Sequence, residues 1–347
     1  MTFAGNLERL SNACGVPGRE AEIRALMNDL LGPHVDEIHE DKLGNIVAVK
    51  KGERKPQKVM LAAHMDEIGL LVKSITNEGF LHFAKLGGID DRVLMAQKVM
   101  VYTEKGPLHG IIGSKPPHIQ KEEERKKVVM YDQLFIDVGA NSKDEASKRG
   151  VKVGDSVGFD AKFARVSNDV VIGKAFDDRV GCAVMIESLK ALKRLDCAVY
   201  AVGTVQEEVG LRGAGTAAFG IDPDIGIALD VTVAGDTPGV KEVEAPIKMR
   251  QGPSLTVADS GLIAHPKTLR LMIDAAEENK IPYQLEAGLP GSTDAARISL
   301  TRQGVPSGTI CVPARYIHSP ISLISLKDAE DAVKLTLATL QRISTSF

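Results

Sequence analysis

The sequence predicts an α/β fold: a mainly parallel sheet with helices on both faces, plus a small inserted β-rich domain. Three observations predict it. From about residue 164 to the end, segments of strand and helix character alternate, which implies crossover connections and a parallel sheet covered on both sides. The same α/β texture opens the chain. Between the two, short alternating or apolar runs are punctuated by glycine and proline. The simplest organisation is a discontinuous α/β domain of residues 1–66 and 164–347 carrying an inserted domain of residues 67–163. At 347 residues and 44% apolar composition the chain is long enough for a sizeable buried core.

The elements follow in order. "GREAEIRALMNDLL" places apolar residues at helical spacing, and "GNIVAVKKG" and "KVMLAAHMDEIGLLVKSI" read as strands. "GFLHFAKLGG", "KVMVYTEKGPLHGIIGS", "QLFIDVGA" and "GDSVGF" are the short strands of the insert. Then come helix "VGCAVMIESLKALKRL", strand "CAVYAVGTV", a helix near "GAGTAAFG", strand "IGIALDV", helix "KTLRLMIDAAEENK", strand "GTICVPA" and the closing helix "LKDAEDAVKLTLATLQRI". No repeat at a fixed period interrupts this order. Within the insert, "GSKPPHIQKEEERKK" joins a Pro-Pro break to an unbroken charged run, a solvated loop or a flap over a site.

Composition excludes several function classes. Lysine plus arginine (43) nearly balance aspartate plus glutamate (46), so no basic field exists for nucleic acid or an anionic membrane. The amino terminus lacks a basic start followed by an apolar stretch, and no run has the roughly 18 apolar residues a membrane span requires, so the protein is expected in the cytoplasm. Cys14, Cys182, Cys197 and Cys311 are far apart and form no C-x-x-C pair, which argues against a disulfide framework or a thiolate zinc site. They read as small buried apolar residues.

Ligands of open α/β sheets gather beyond the carboxyl ends of the strands. "KVMLAA" ends at His64 and Asp66, "VVIGKAF" at Asp177 and Asp178, and "AVYAVGTV" at Glu207 and Glu208. "IGIALD" ends at Asp230, and "GTICVPA" runs on to His318. Singly, each has a structural reading: a histidine in the core, an aspartate capping a helix, paired acids in an exposed turn. Their joint placement at strand ends reverses this. So many carboxylates together raise their own pKa values unless cations hold them. Two histidines with three or more carboxylates suit zinc or another first-row divalent ion, and one carboxylate can bridge two metals. His34, His39, His82, His109 and His265 keep their structural reading, and His118, in the possible flap, stays undecided.

Other chemistries fit less well. "GAGTAA" matches the loose dinucleotide fingerprint, with Asp230 at the spacing of a ribose-binding acid, but its first glycine lies several residues past the strand. Glu207 and Glu208 would also sit where a pyrophosphate needs positive potential. G-x-S-x-G and H-E-x-x-H are both absent.

The ordered set "AHMDEIG", "AFDDRVGC", "VQEEVGLRGA", "ALDV", "GSTDAA" and "IHSP" closely resembles the tetrahedral (TET) or glutamyl aminopeptidases, co-catalytic metallopeptidases that include members labelled endoglucanase. The likeness runs from "GVPGRE" to the final helix and includes "GSKPPH". It implies two divalent metal ions per subunit, zinc or cobalt. His64, Asp177 and Asp230 would bind one; Asp177, Glu208 and His318 would bind the other, with Asp177 bridging. Glu207 would be the general base, beside a ligand and able to pass a proton to the leaving amine. Asp66, on the same side of an extended chain as His64, would orient that imidazole. The resemblance further implies a cis Asp177–Asp178 peptide, a PDZ-like insert that dimerises, and dimers that assemble into a hollow tetrahedral dodecamer whose chamber the "KEEERKK" loops could line. Ser292 in "GSTDAA" departs slightly from the family's usual "GGTDA"; Ser292, Thr293, Asp294 and His118 are the candidate substrate contacts.

The expected activity is removal of amino-terminal residues from short peptides. An N-acyl amino acid or small amide hydrolase on the same metals is the alternative, and a metal-stabilised non-catalytic assembly protein is an alternative of another class. A spare carboxylate beside the ligands argues against the last, because structural sites are normally closed. Polysaccharide cleavage has weak support, with no tryptophan available for sugar stacking. The preferred amino-terminal residue, expected to be set by a pocket formed from loops such as "TVAGDTPG" and "EAGLPGSTDAA", is not legible at this level.

Overall fold

The computed structural model describes residues 2–54, 56–193 and 195–346. Its larger sheet runs in the order Glu37–Glu40, Ile46–Lys50, Ala198–Thr204, Lys58–His64, Ile225–Val233, Ser307–Arg315, Ser322–Ser325, Val170–Gly173 and Ala164–Arg165. Ser254–Asp259 also pairs with Ser307–Arg315 and carries Gln284–Leu289 beside it.

This sheet is mixed, where the sequence predicted a mainly parallel one. Four central strands, Ala198–Thr204, Lys58–His64, Ile225–Val233 and Ser307–Arg315, are mutually parallel, while both flanks are antiparallel. Short connections account for part of each flank: residues 41–45, 166–169 and 316–321 are too few to cross over, so the strands they join run antiparallel.

Period-two alternation divides each central strand between two cores. Val59, Leu61 and Ala63 pack into the larger core with helices Phe3–Asn12, Ala21–Leu31, Phe176–Ala191, Pro266–Glu278 and Leu326–Ser346. Met60 and Ala62 face the opposite side, against Ala214, Ala217, Ala218 and Ile221 of helix Arg212–Ile221 and Ile298 of helix Asp294–Ser299. Among the described residues no helix is long and apolar enough to cross a membrane.

Residues 69–159 supply a second, closed barrel of six strands: Gly69–Ile75, Leu81–Leu86, Phe135–Asp137, Gly106–Gly113, Lys98–Thr103 and Ser156–Phe159. It has its own core, with Leu70, Val72, Leu81, Phe83, Val99, Val101, Ile112, Ile136 and Val157 buried inside. The chain leaves the main sheet at the carboxyl end of its central strand Lys58–His64, so the barrel is rooted beside the strand ends. The charged segment becomes a turn at Pro117–Ile119 and a short exposed helix at Glu122–Arg125, tied by Lys115–Glu124 and Lys126–Glu122 ion pairs.

Where barrel and sheet meet, a buried charge cluster fixes three segments together. The Glu67 carboxylate accepts hydrogen bonds from Lys174 Nζ at 2.7 Å to each oxygen, from the Gly15 N–H at 3.1 Å and from Arg179 at 3.4 Å. Arg179 is fully buried and also donates to the carbonyls of Leu10 and Ala13. Removing one partner of a buried pair strands a charge in low dielectric. Glu67→Gln is therefore expected to destabilise the fold by about 3–5 kcal/mol in denaturant titration. A midpoint shift no larger than that of Glu122→Ala, on the exposed helix, would show that the cluster does not hold these segments.

Candidate active site

The four parallel strands deliver their side chains to one edge. His64 is the last residue of Lys58–His64, Glu207 and Glu208 follow Ala198–Thr204, and His318 follows Ser307–Arg315. Asp230 differs from expectation: its strand continues to Val233, so the carboxylate projects from within the strand. Asp177 and Asp178 lie at the start of helix Phe176–Ala191, joined by a cis peptide, with non-helical backbone at both. Gln206, Ala175 and His318 take left-handed backbone conformations next to or at site residues, as strained positions at functional sites do.

Asp177 stands at the centre. One of its oxygens is 3.0 Å from His64 Nε2, and the other is 3.3 Å from His318 Nε2. His64 Nε2 also lies 4.0 Å from Asp230 and 3.9 Å from Glu207; His318 Nε2 lies 3.7 Å from Glu208. Among the described residues two groups of three have ligand atoms all within 4.8 Å of one another: His64, Asp177 and Asp230, and Asp177, Glu208 and His318. They share Asp177 and leave Glu207 outside both.

Burial and mutual repulsion dominate the electrostatics of this crowd. Burial, reinforced by Asp177, pushes Glu208 up to about 8, although His318 opposes it. Burial likewise pushes Asp230 up to about 8 against the pull of His64. Glu207 is raised well above the carboxylate range by burial and by Asp230, Asp294 and Glu208, with His64 opposing. Burial acts to raise Asp177 too, but its contacts with His318 and His64 outweigh it and hold this carboxyl low. The imidazoles respond in kind: contact with Asp177 lifts His318 to about 10, and Glu207, Asp177 and Asp230 lift His64 despite its burial. Protons thus do the neutralising that divalent ions would do. Glu208 Oε1 is buried without a hydrogen-bond partner, as a ligand oxygen awaiting a cation would be. The donor set, imidazole and carboxylate with no thiolate, fits zinc or a neighbouring first-row ion.

The surrounding groups hold this arrangement. Asp66 acts differently from expectation: the imidazole Nδ1 of His64 meets the backbone carbonyl of Asp66 at 3.1 Å, whereas the carboxylate is 3.7 Å away. That carboxylate instead accepts the N–H groups of Glu207 and Glu208 at 3.0 and 3.1 Å, clamping the loop that carries both. Asp178 accepts the N–H groups of His64 and Gly181. The barrel reaches the site through Gly88, whose carbonyl is 2.8 Å from His318 Nδ1. A Cβ at neighbouring Gly87, where φ is +88°, would come within 2.9 Å of Glu208 Oε2. Nothing in the isolated "GG" dipeptide signals this close approach in the sequence.

These groups open into a cleft of about 460 Å³, in the size range of small-ligand sites. Ser292 and Thr293 line it, whereas Asp294 lies behind, accepting the Thr204 hydroxyl. His118 and the rest of the 113–127 segment contribute nothing to its lining. Thr256, Asp259, Glu286 and Cys311 do line it and were not singled out as contacts by the sequence. All four cysteines are buried free thiols, as expected. "GAGTAA" lies inside helix Arg212–Ile221, where a Cβ at Gly213 would be 2.3 Å from Asn45 Oδ1, so its glycine serves close packing.

Comparison with known proteins agrees with the geometry. The structure superposes on that of a TET aminopeptidase from the marine sediment archaeon Thaumarchaeota archaeon SCGC AB-539-E09 with a TM-score of 0.95 and 42% identity, covering 99% of this chain and 97% of that one. The Pyrococcus horikoshii TET1 peptidase, which can assemble into a tetrahedron or a large octahedral shell, matches with a TM-score of 0.89 and 33% identity over the full length of both. A lysyl aminopeptidase of Pyrococcus furiosus is 37% identical over 340 residues, 97% of this chain and 96% of that protein. Residues 44–335 match the M42 glutamyl aminopeptidase family model, and with these relatives they establish that the chain belongs to that family and is a peptide hydrolase.

Proposed function

We propose that this protein is a metal-dependent aminopeptidase that removes amino-terminal residues from short peptides, with Glu207 as general base. The observation that carries this reading is the pair of ligand triads sharing Asp177, with a separate carboxylate beside them. His64, Asp177 and Asp230 would hold one ion, and Asp177, Glu208 and His318 the other. Zinc and cobalt both suit these donors. Divalent ions there would polarise the scissile carbonyl and make water nucleophilic at neutral pH.

The chain's own groups do the rest. Glu207 is only 11% exposed, and its backbone is fixed by Asp66, so its carboxylate is held at the cleft. It takes a proton from the attacking water as the new C–O bond forms, then returns that proton to the amine nitrogen as the C–N bond breaks. A carboxyl held beside the ligands is placed to serve both halves of that task. Asp66 and Asp178 position, respectively, the loop bearing Glu207 and Glu208 and the backbone of His64.

Residues 67–163, containing the barrel, are taken as an inserted domain within the α/β domain of residues 1–66 and 164–347. The dodecamer of the Pyrococcus horikoshii relative supports a homo-oligomer; dimers joined through the barrel and built into a dodecamer are the assembly proposed.

Two outcomes are expected. Glu207→Gln keeps its metal content by elemental analysis but loses about 10²–10⁴-fold in kcat on free-amine aminoacyl amides; activity equal to the parent would remove Glu207 from the chemistry. N-acetylated versions of the same amides serve as the control, and cleavage of only these would make the protein an acyl-amide hydrolase. Zinc or cobalt at about 100 times its Kd should stabilise the metal-stripped protein by about 2.7 kcal/mol per site. Asp177→Asn should abolish most of that thermal shift, and an undiminished shift would place the metal elsewhere.

A further inference from the structure

The cleft continues past the metal-binding groups, and its chemistry there is specific. Beyond Asp230 the wall passes across strand Ser307–Arg315 to Ser254–Asp259 and on to Gln284–Leu289. The register sets Asp230 opposite Cys311, Cys311 opposite Ser254, and Thr256 opposite Glu286. Glu286 therefore comes from a strand three across from that of Asp230, two residues off its register, and its carboxyl reaches Thr232, two residues along Asp230's own strand. Both acids line the one cleft.

Glu286 is 4% exposed and lines the cleft. Its hydrogen-bond partners are the neutral hydroxyls of Ser254, at 3.1 Å, and Thr232. Among the described residues no lysine or arginine forms an ion pair with it, and none lines the cleft. A carboxyl buried without a counter-charge is costly, and its burial raises it above the usual range. Asp259 stands half-buried on the same wall. One of its oxygens accepts the Ser292 hydroxyl at 3.1 Å and the N–H groups of Gly261 and Leu262 at 2.7 Å, while the other accepts no hydrogen bond among the described residues. Ser292, the departure within "GSTDAA", thus orients a cleft carboxylate.

We infer that this cleft receives the side chain of the substrate's amino-terminal residue and selects a cationic one, lysine or arginine, through Glu286 on its buried wall and Asp259 beside it. The inference rests on the aminopeptidase reading and deepens it. An acidic side chain would meet two carboxylates with no cation to offset them. A neutral aliphatic one would dehydrate Glu286 and return no interaction. A site built to pair with a charged group rejects the analogue that lacks it.

The test uses the metal-loaded enzyme with lysyl, arginyl, norleucyl and glutamyl amides; norleucine keeps lysine's aliphatic chain and lacks its ammonium. Lysyl and arginyl amides should exceed norleucyl amide in kcat/KM by about tenfold or more, with glutamyl amide the poorest. Glu286→Gln should reduce the lysyl-to-norleucyl ratio about tenfold, and Asp259→Asn should reduce it by a smaller factor. Free lysine should also inhibit the parent enzyme more strongly than free norleucine, a comparison that needs no variant to fold. Preference for norleucyl or glutamyl amide, equal inhibition by the two amino acids, or a ratio unchanged in both variants overturns the selectivity. A parent enzyme that cleaves none of the four amides overturns the aminopeptidase reading beneath it.

Discussion

The active edge depends on one buried contact, the clasp of Glu67 by Lys174 and Arg179. Glu67 adjoins Asp66, and Arg179 adjoins Asp178, so the charge cluster sits directly behind the two segments that present His64 and Asp177. A buried ion pair gains little over well-packed apolar groups, so stability alone does not explain it. What it provides is position. Lys174 and Arg179 also bind the carbonyl of Ala13, and Arg179 that of Leu10, which ties the first helix to the same point. Three stretches distant in sequence are held in one register before any cation arrives.

That support allows the edge itself to be electrostatically poor. Asp177, Glu207, Glu208 and Asp230 converge where water is largely excluded, an arrangement that folding alone would disfavour. Asp66 shares the burden by binding two backbone N–H groups of the loop, so Glu207 and Glu208 are placed by the main chain and not by mutual attraction. The barrel closes the arrangement through the Gly88 carbonyl at His318. His318 is the more exposed of the two imidazoles, at 42% of its side chain against 2% for His64, and so has most need of that outside contact.

Much of this edge was legible because it follows a rule of topology: parallel strands flanked by crossovers send their carboxyl ends to one side. His64, Glu207, Glu208 and His318 each follow an apolar run, and apolar runs are the strongest strand signal in the chain. What the sequence misjudged was pairing. Antiparallel pairs such as Ser307–Arg315 with Ser322–Ser325 follow from short connections, but others join strands far apart in sequence, and neither composition nor periodicity reveals which neighbour a strand will choose. Asp66 was expected to orient the His64 imidazole, but its carboxylate lies nearer the N–H groups of the loop bearing Glu207 and Glu208. Side-chain alternation places it on the His64 side, yet only the folded loop shows that the N–H groups of Glu207 and Glu208 come closer than the imidazole.

The same limit hid Glu286 and Asp259. Each lies on a strand added beyond the parallel core, and although "EAGLPGSTDAA" is expected to help form the pocket, its folded geometry cannot be derived from the sequence. The pairing of Ser254–Asp259 with Ser307–Arg315 is what brings them to the cleft. This division has a functional consequence. The acids at the ends of the parallel strands are constrained by one another through Asp177, so none can change without disturbing the rest. Those on the added strands touch only hydroxyls and backbone, and can vary independently. A fold that separates chemistry from selection in this way can keep one hydrolytic centre while its preferred amino-terminal residue changes, because the altered side chains lie outside the ligand network.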